Sequence, residues 1–317
     1  MPDLKLYGTP AGVEAAVKEA ARAAAVADPS LTVNERIRLA HFQRFLSRVF
    51  SEGQDSAWIL KGGTGMLARL PSTRSTLDID LYRETFTLDQ ALEDLRRLAE
   101  VDLGDHFRFV YTRHQRSIGG EEQAYTDGYR VSFDVYIGAQ RKSRINIDLA
   151  VGVSVTAPIS SAEPANGLAL PRLLSFPYRL YPVVDQIADK VCATMATYNG
   201  RPSSREKDLV DLIVLATTQE VSGRALQNAI AKETRLRQME PANHFAVPAT
   251  WGAAYAKMAR AVPYCSSYRT VEAAGELAAA FIDPALNGSA SGSTWLPATL
   301  SWQHDNRPVP NTGDVKH

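Results

Sequence analysis

The chain has 317 residues, of which 45% are hydrophobic and 22% charged, enough to build one large or two modest cores. Its 35 basic and 35 acidic residues cancel to a formal net charge of zero, which excludes a global positive field that would attract nucleic acid. Cys192 and Cys265 lack metal-site or disulfide-framework spacing, and no apolar run approaches membrane-spanning length. We therefore expect a soluble cytoplasmic protein with no membrane partner.

Two helices are predicted before the first strand. Residues 13–27 are rich in alanine, and Thr32 followed by Glu35 forms a capping box for a second helix that reaches about Phe50. We assign residues 1–54 to N-terminal helices that pack on the core. Four arginines lie off the apolar stripe of the second helix, where they would be solvated or contact a phosphate backbone: Arg36, Arg38, Arg44 and Arg48.

A glycine-rich turn follows the first predicted strand, residues 58–60. The turn is Gly62-Gly63-Thr64, and residues 65–70 are predicted to form a short helix after it. Glycines let backbone N–H groups approach an anion closely, and the start of a helix adds the favourable end of its dipole. This turn is therefore a candidate phosphate-binding element.

A second strand, residues 77–82, carries two aspartates, Asp78 and Asp80. Alternate residues of a strand share a face, so both carboxylates are expected on one side of the sheet. Side-by-side carboxylates repel each other, and a divalent cation between them relieves the repulsion. The residues expected to point into the core are Leu77, Ile79 and Leu81. A phosphate-binding turn beside such a pair is typical of phosphoryl or nucleotidyl transfer.

Thr87 with Gln90 is predicted to cap a helix that runs through Glu100. Three further strands follow, and the last two are predicted to form a hairpin. The strands are predicted at residues 107–113, 129–138 and 144–151. Asp148 interrupts the apolar pattern of the last strand and is our candidate for a third metal-binding carboxylate. Asp134 interrupts the preceding strand in the same way and is the alternative.

The second half of the chain is predicted to be helical. One helix runs from Pro182 to about Tyr198, with Lys190 at the border of its apolar stripe. The next spans residues 205–217 and aligns Arg205, Asp208 and Asp211 on one face, which is also the pattern of a surface ion-pair row. Further helices are predicted near residues 222–233, 248–261 and 270–282. Residues 286–317 are expected to be a flexible tail, although Trp295 and Trp302 could dock on the body or on a partner.

Taken together, five short blocks resemble the AbiEii-type nucleotidyltransferase toxins of type IV toxin–antitoxin pairs, which include the mycobacterial MenT enzymes. The blocks are GGT, RSTLDIDL, NIDLA, the helical DK and KDLVDL, within residues 59–215. The resemblance implies an α/β (α+β) fold: a polymerase-beta-like mixed sheet with flanking helices over residues 55–180, then a C-terminal helical domain over residues 181–285. Known members use magnesium and an NTP, some modify the tRNA 3′ end, and an antitoxin partner counteracts them.

The resemblance also implies roles for individual residues. Those expected to contact the nucleotide are Lys61, Gly62, Gly63, Thr64, Thr76, Lys190, Arg205 and Asp208. Thr76 holds the position of a hydroxyl residue that is phosphorylated in some members. The expected catalytic residues are Asp78, Asp80, Asp148, Lys190 and Asp211, of which Asp78, Asp80 and Asp148 would bind Mg²⁺.

We therefore expect transfer of a nucleotide from an NTP to an RNA, with the tRNA 3′ end as acceptor. A nucleotidyltransferase for a small molecule or a protein is the alternative, and a catalytically idle binding module is a third reading against which the intact aspartates argue. A contiguous positive groove beside Asp78 would favour RNA, and an acidic pocket would favour a cationic small molecule. The residues proposed for RNA contact are Arg69, Arg74, Arg141, Lys142, Arg144, Arg205, Lys207, Arg235 and Arg237.

Overall fold

The computed structural model describes residues 6–71, 73–84, 86–116, 127–152, 154–165, 167–198 and 200–305. Its helices are α1 (Pro10–Ala27), α2 (Val33–Val49), α3 (Gly62–Arg69), α4 (Leu88–Ala99), α5 (Val183–Met195), α6 (Glu206–Thr218), α7 (Gly223–Leu236), α8 (Ala253–Arg260) and α9 (Val271–Leu286). Its strands are β1 (Trp58–Lys61), β2 (Ile79–Glu84), β3 (Phe107–Arg116), β4 (Asp127–Ile137), β5 (Gln140–Gly152), β6 (Ser160–Ala162), β7 (Tyr178–Leu180), β8 (Thr197–Tyr198), β9 (Arg201–Pro202), β10 (Val221–Ser222), β11 (Ser293–Leu296) and β12 (Ser301–His304).

Seven of the described strands form one mixed sheet in the order β3-β4-β5-β2-β1-β7-β6. Strand β2 is antiparallel to β1 and parallel to β5, and the chain between β2 and β5 includes α4, β3 and β4. The predicted hairpin is confirmed as β4 and β5, joined through Gly138, whose φ of 58° suits a tight turn. The expected fold class, a mixed sheet with flanking helices followed by a helical region, is therefore confirmed.

Helices α1, α2 and α4 pack on one side of the sheet. The predicted capping box at Thr32 is present in α2, and Thr87 caps α4 in the same way with Gln90. Phe45 of α2 packs on the sheet, with its ring centroid 5.2 Å from that of Phe109 and 5.1 Å from that of Phe133. This face therefore carries the larger hydrophobic core, and the catalytic candidates project from the other face.

Neither interpretation of the α2 arginines is correct for Arg44 and Arg48. Both guanidinium groups are buried and form ion pairs with the buried carboxylate of Asp105, at 2.6 and 2.7 Å. Arg36 is also buried, and it donates a hydrogen bond to the carbonyl oxygen of Leu31. These side chains join α2 to neighbouring loops and are not available to a phosphate backbone.

A second hydrophobic core joins α5, α6, α7, α8 and α9. Helix α5 ends at Met195, earlier than predicted, because Thr197–Tyr198 forms a two-stranded sheet with Arg201–Pro202. Helix α9 continues to Leu286 with Pro284 in its last turn. No helix in the described part of the chain is long and apolar enough to span a membrane.

The prediction of a flexible tail is wrong for residues 287–305. Strands β11 and β12 form a hairpin that pairs with β10, and Trp295 is 1% exposed. The Trp295 indole N–H donates to the carbonyl oxygen of Ala216, 2.7 Å away, and its ring lies 4.8 Å from that of Phe281. Burial of this aromatic ring offsets the entropic cost of ordering a polar segment. The remainder of the predicted tail, residues 306–317, lies outside the described residues.

Candidate active site

Two carboxylates face each other across the parallel pair β2 and β5. Asp80 is directly opposite Asp148, and their strand neighbours Ile79 and Leu149 are buried in the core. The alternation of side chains along a strand therefore puts both carboxylates on the face opposite the core. Asp78 lies just before β2, and Leu77 is 66% exposed rather than buried because β2 begins only at Ile79.

Because Asp80 and Asp148 lie side by side, it is unfavourable for both carboxyl groups to be ionised at the same time. Burial raises the pKa of Asp80, and nearby Lys61 offsets part of this increase. Burial, followed by the charge of Asp80, raises the pKa of Asp148 to about 6. A cation between the two carboxylates would stabilise their ionised forms against both burial and mutual repulsion.

Helix α3 begins at Gly62, so the glycine turn is the first turn of the helix and not a loop before it. Gly62 has a φ of 62°, and a Cβ atom there would lie 1.9 Å from Oδ2 of Asp80. A Cβ at Gly63 would lie 2.9 Å from Oγ1 of Thr76. Only glycine permits this approach, which leaves the first N–H groups of α3 beside the aspartates.

Thr64 and Thr76 fix the backbone at Asp78. The Thr64 hydroxyl donates to the carbonyl oxygen of Asp78 at 2.7 Å, and the Thr76 hydroxyl donates to the same oxygen at 3.2 Å. Both threonines are buried. Their hydroxyl groups therefore link the glycine turn to the start of β2.

The opposite wall contains a buried cluster of charges. The Lys190 ammonium group of α5 lies 2.5 Å from Asp211 and 3.2 Å from Asp208, both in α6. Burial acts to lower the pKa of Lys190, but the neighbouring carboxylates of Asp211 and Asp208 outweigh burial and raise it. Asp208 and Asp211 are 1% and 0% exposed, so the interpretation as a surface row is wrong. Arg74, from the loop before β2, contacts both oxygens of Asp211 at 2.9 and 2.8 Å.

Further cations lie around this cluster. Arg205 precedes α6, and its Nε lies 2.5 Å from Asp208. Burial opposes ionisation of Asp208, but Lys190 and Arg205 lower its pKa to about 2. Burial and the neighbouring Arg205 lower the pKa of Lys207. Lys61 lies 5.5 Å from the ring centroids of both Tyr82 and Tyr181.

A cleft of about 390 Å³ lies between the sheet and the helical region. The predicted site residues that line it are Lys61, Gly62, Asp80, Asp148, Lys190, Arg205 and Asp208. Five others do not line the cleft but contact residues at its wall or lie beside them: Gly63, Thr64, Thr76, Asp78 and Asp211. The structure thus brings the widely separated sequence blocks to one place.

The chemistry of the aspartates fits a divalent cation. Within the described residues, no three His, Cys, Asp or Glu side chains already converge as a metal site. Asp78 instead accepts a hydrogen bond from Arg130, and Oδ1 of Asp148 is buried with no hydrogen-bond donor among the described residues. Carboxylate oxygens are the ligands that Mg²⁺ prefers, so rotation of the Asp78 side chain would give an oxygen-rich set on two adjacent strands.

Sequence reasoning missed Arg130 entirely and assigned Arg74 to RNA contact. Arg130 lies opposite Asp148 in the register of β4 and β5, a relationship that no local pattern reveals. The side chain of Arg74 is 15% exposed and pairs with Asp211. The alternative third carboxylate, Asp134, is paired with Arg141 and Arg144 instead.

Comparison with known proteins places these features in context. The family model described as the nucleotidyl transferase AbiEii toxin of type IV toxin–antitoxin systems matches residues 44–276. No curated protein matches the chain. The solved structure of JHP933 from Helicobacter pylori is 13% identical, with 78% of this chain and 89% of that chain covered and a TM-score of 0.39. An H. pylori protein described as a nucleotidyltransferase is 14% identical, with 80% and 95% covered and a TM-score of 0.41.

Proposed function

Because the chain belongs to the AbiEii family of nucleotidyltransferase toxins, we propose that it transfers a nucleotide from an NTP to an RNA acceptor, the tRNA 3′ end. The observation that carries this proposal is the pairing of Asp80 with Asp148 at a cleft whose other wall contains Lys190 and Lys207. Carboxylates on one wall and cations on the other suit a nucleoside triphosphate and its charge-neutralising metal.

The phosphates of the NTP are proposed to lie between the start of α3 and α6. Gly62 and Gly63 would offer N–H groups, and Thr64 holds that turn against Asp78. Lys207 lines the cleft and has no ion pair in the described part of the chain, so its ammonium group is available to a phosphate. Lys190 supplies a second positive charge, which Asp208 and Asp211 hold in place.

A divalent cation such as Mg²⁺ is proposed to bind Asp78, Asp80 and Asp148. When bound, such an ion neutralises phosphate charge and increases the acidity of an attacking hydroxyl group. Asp148 lines the cleft directly opposite Asp80 and is therefore placed to accept the proton of that hydroxyl. Asp211 would orient Lys190, and Arg205 would hold Asp208.

The acceptor distinguishes this proposal from its alternative, a nucleotidyltransferase for a small molecule or protein. Membership of a toxin–antitoxin family supports a cognate antitoxin as a partner. The RNA acceptor is proposed from the resemblance to enzymes that modify the tRNA 3′ end. One observation favours the alternative: Lys142 is paired with Glu14, and Arg141 and Arg144 share Asp134. The predicted basic hairpin is thus partly neutralised.

A transfer assay tests the proposal. Purified protein, Mg²⁺ and each of four α-labelled NTPs are incubated with total tRNA, with periodate-oxidised tRNA that lacks a reactive 3′ end, and with protein and metabolite extracts. We expect label on intact tRNA only. Asp80→Asn should abolish the label, whereas Asp134→Asn, a carboxylate on the same sheet face away from the cleft, should leave it unchanged.

Other results have distinct meanings. Label on extract components but not on tRNA would overturn the RNA acceptor and support the alternative. Full activity of Asp80→Asn would contradict the proposed site, provided that its circular dichroism and melting temperature match those of the wild type. Equal labelling of oxidised and intact tRNA would exclude the 3′ end as the acceptor.

A further inference from the structure

Arg130 lies in a row of three charged residues across adjacent strands. It is opposite Asp148 in the pairing of β4 with β5, and Asp148 is opposite Asp80 in the pairing of β5 with β2. Adjacent strands are about 4.8 Å apart, so the long side chain of Arg130 can extend over Asp148 towards β2. Its Nη2 lies 2.7 Å from Oδ1 of Asp78, and its Nη1 lies 3.8 Å from Oδ1 of Asp148.

The guanidinium group therefore contacts carboxylates of two different elements. Asp78 precedes β2 and Asp148 belongs to β5, and these are two of the three residues proposed to bind the metal. The Arg130 side chain is 40% exposed, so solvent can replace its contacts without opening the core. A metal bound through Oδ1 of Asp78 would take the oxygen that now accepts from Arg130.

A second cross-strand pair on the same face provides a comparison. The next pair along β4 and β5 is Ser132 with Asn146, in which the serine hydroxyl donates to the amide oxygen. The pair after that is Asp134 with Arg144, which form an ion pair and serve as the comparison. Arg144 is 42% exposed on its side chain, close to the value for Arg130. Of these two arginines, only Arg130 contacts carboxylates of the proposed metal site. The two side chains are therefore matched in exposure but differ in position.

We propose that Arg130 is a positioning residue that acts as the counter-ion of Asp78 and Asp148 until a divalent cation displaces it. The inference rests on the proposed metal-binding role of these aspartates. While Arg130 is bound, it keeps the carboxylates close despite their mutual repulsion. When the cation binds, the guanidinium group must leave Asp78, and the apparent affinity for the cation is reduced by the free energy of that ion pair.

The affinity of the full-length protein for Mn²⁺, followed by electron paramagnetic resonance of free Mn²⁺ at pH 8, tests this inference without any substrate. Arg130→Gln removes the competing charge, and we expect Mn²⁺ to bind about fivefold more tightly, the upper range for a partly exposed ion pair. Arg144→Gln should bind like the wild type. Arg130→Lys, which keeps the charge but not the two-pronged geometry, should lie between them.

Two results would overturn the inference. If the wild type and Arg144→Gln bind Mn²⁺ but Arg130→Gln binds equally or less tightly, Arg130 does not compete with the cation, and the proposed metal site still stands. If no variant binds Mn²⁺, the metal role of the aspartates fails, and the role of Arg130 fails with it.

Discussion

Gly62 combines a backbone conformation that favours glycine with a space that excludes any larger residue. Its φ is 62°, and a Cβ atom would approach Oδ2 and Cγ of Asp80 at 1.9 and 2.4 Å. Gly200 provides a control, since its φ is 73° but no atom lies within 4 Å of the same position. A comparison of the same substitution at the two positions therefore separates the effect of backbone strain from the effect of displacing Asp80.

We expect Gly200→Ala to lower the free energy of unfolding by about 1–2 kcal/mol, the cost of a left-handed conformation for alanine. Gly62→Ala should lower it by more, because its methyl group also meets the Asp80 carboxylate. Only Gly62→Ala should abolish transfer, because the methyl group displaces the Asp80 carboxylate. Urea denaturation and the transfer assay measure the two effects. Equal activity of both variants would show that Asp80 can move without loss of function.

At the scale of elements, α5 and α6 are joined by charges rather than by apolar contacts alone. Asp211 is fully buried between Lys190 and Arg74, whereas Asp134 pairs with Arg141 and Arg144 at the surface. Burial opposes ionisation of Asp211, but Arg74 and then Lys190 lower its pKa. Removal of this carboxylate would take the paired carboxylate from Arg74 and would leave Lys190 with Asp208 alone.

Asp211→Ala should therefore lower the free energy of unfolding by about 3–5 kcal/mol, as expected when one partner of a buried ion pair is lost. Asp134→Ala should lower it by less than about 1 kcal/mol, because its partners are exposed. Chemical denaturation compares the two. Similar losses would mean that water reaches Lys190 and Arg74 readily.

His41 makes the packing of α2 on β5 sensitive to pH. Its Nδ1 lies 2.8 Å from the Ser143 hydroxyl, and burial, with a further contribution from Lys142, lowers its pKa to about 4. The unfolded imidazole binds a proton near pH 6.5, so protonation favours the unfolded state. The stabilisation is complete above that pH and is lost as the pH falls towards 4.

We expect the wild type to lose about 3 kcal/mol relative to His41→Gln between pH 6.5 and pH 4. The difference between the two proteins removes the contribution of other titrating groups. Parallel stability curves for the wild type and His41→Gln would show that folding does not lower the pKa of His41.

At the scale of the whole molecule, the chain folds back after α9 to complete its second core. Trp295→Ala should lower the free energy of unfolding by about 3–5 kcal/mol, because it removes a buried ring and its hydrogen bond. Truncation before Ser293 should lower the melting temperature as well. Thr299→Ala, in the exposed turn between β11 and β12, is the control for differential scanning fluorimetry. An unchanged melting temperature for the truncated protein would show that the hairpin contributes no stability.

Local patterns in the sequence were enough to predict the helix caps at Thr32 and Thr87 and the alternation around Asp80. They could not predict Arg130 beside Asp78, because strand register between distant segments depends on the whole sheet. Composition was misleading at residues 287–305, since glycine and serine favour disorder on average. Here two tryptophans, Trp295 and Trp302, pack on Phe281 of α9 and reverse the balance. Residues of the cleft that lie in the resembling sequence blocks could thus be named in advance, whereas Arg130, which only strand register brings beside them, could not.

The parallel pairing of β2 with β5 has a consequence for protein synthesis. Asp80 is translated well before Asp148, and the α6 carboxylate that holds Lys190 is translated later still. A nascent chain cannot assemble the proposed site until α6 has emerged from the ribosome. Products of interrupted translation that end before α6 should therefore be inert, so that a toxin of this fold becomes harmful only when most of its chain has been made.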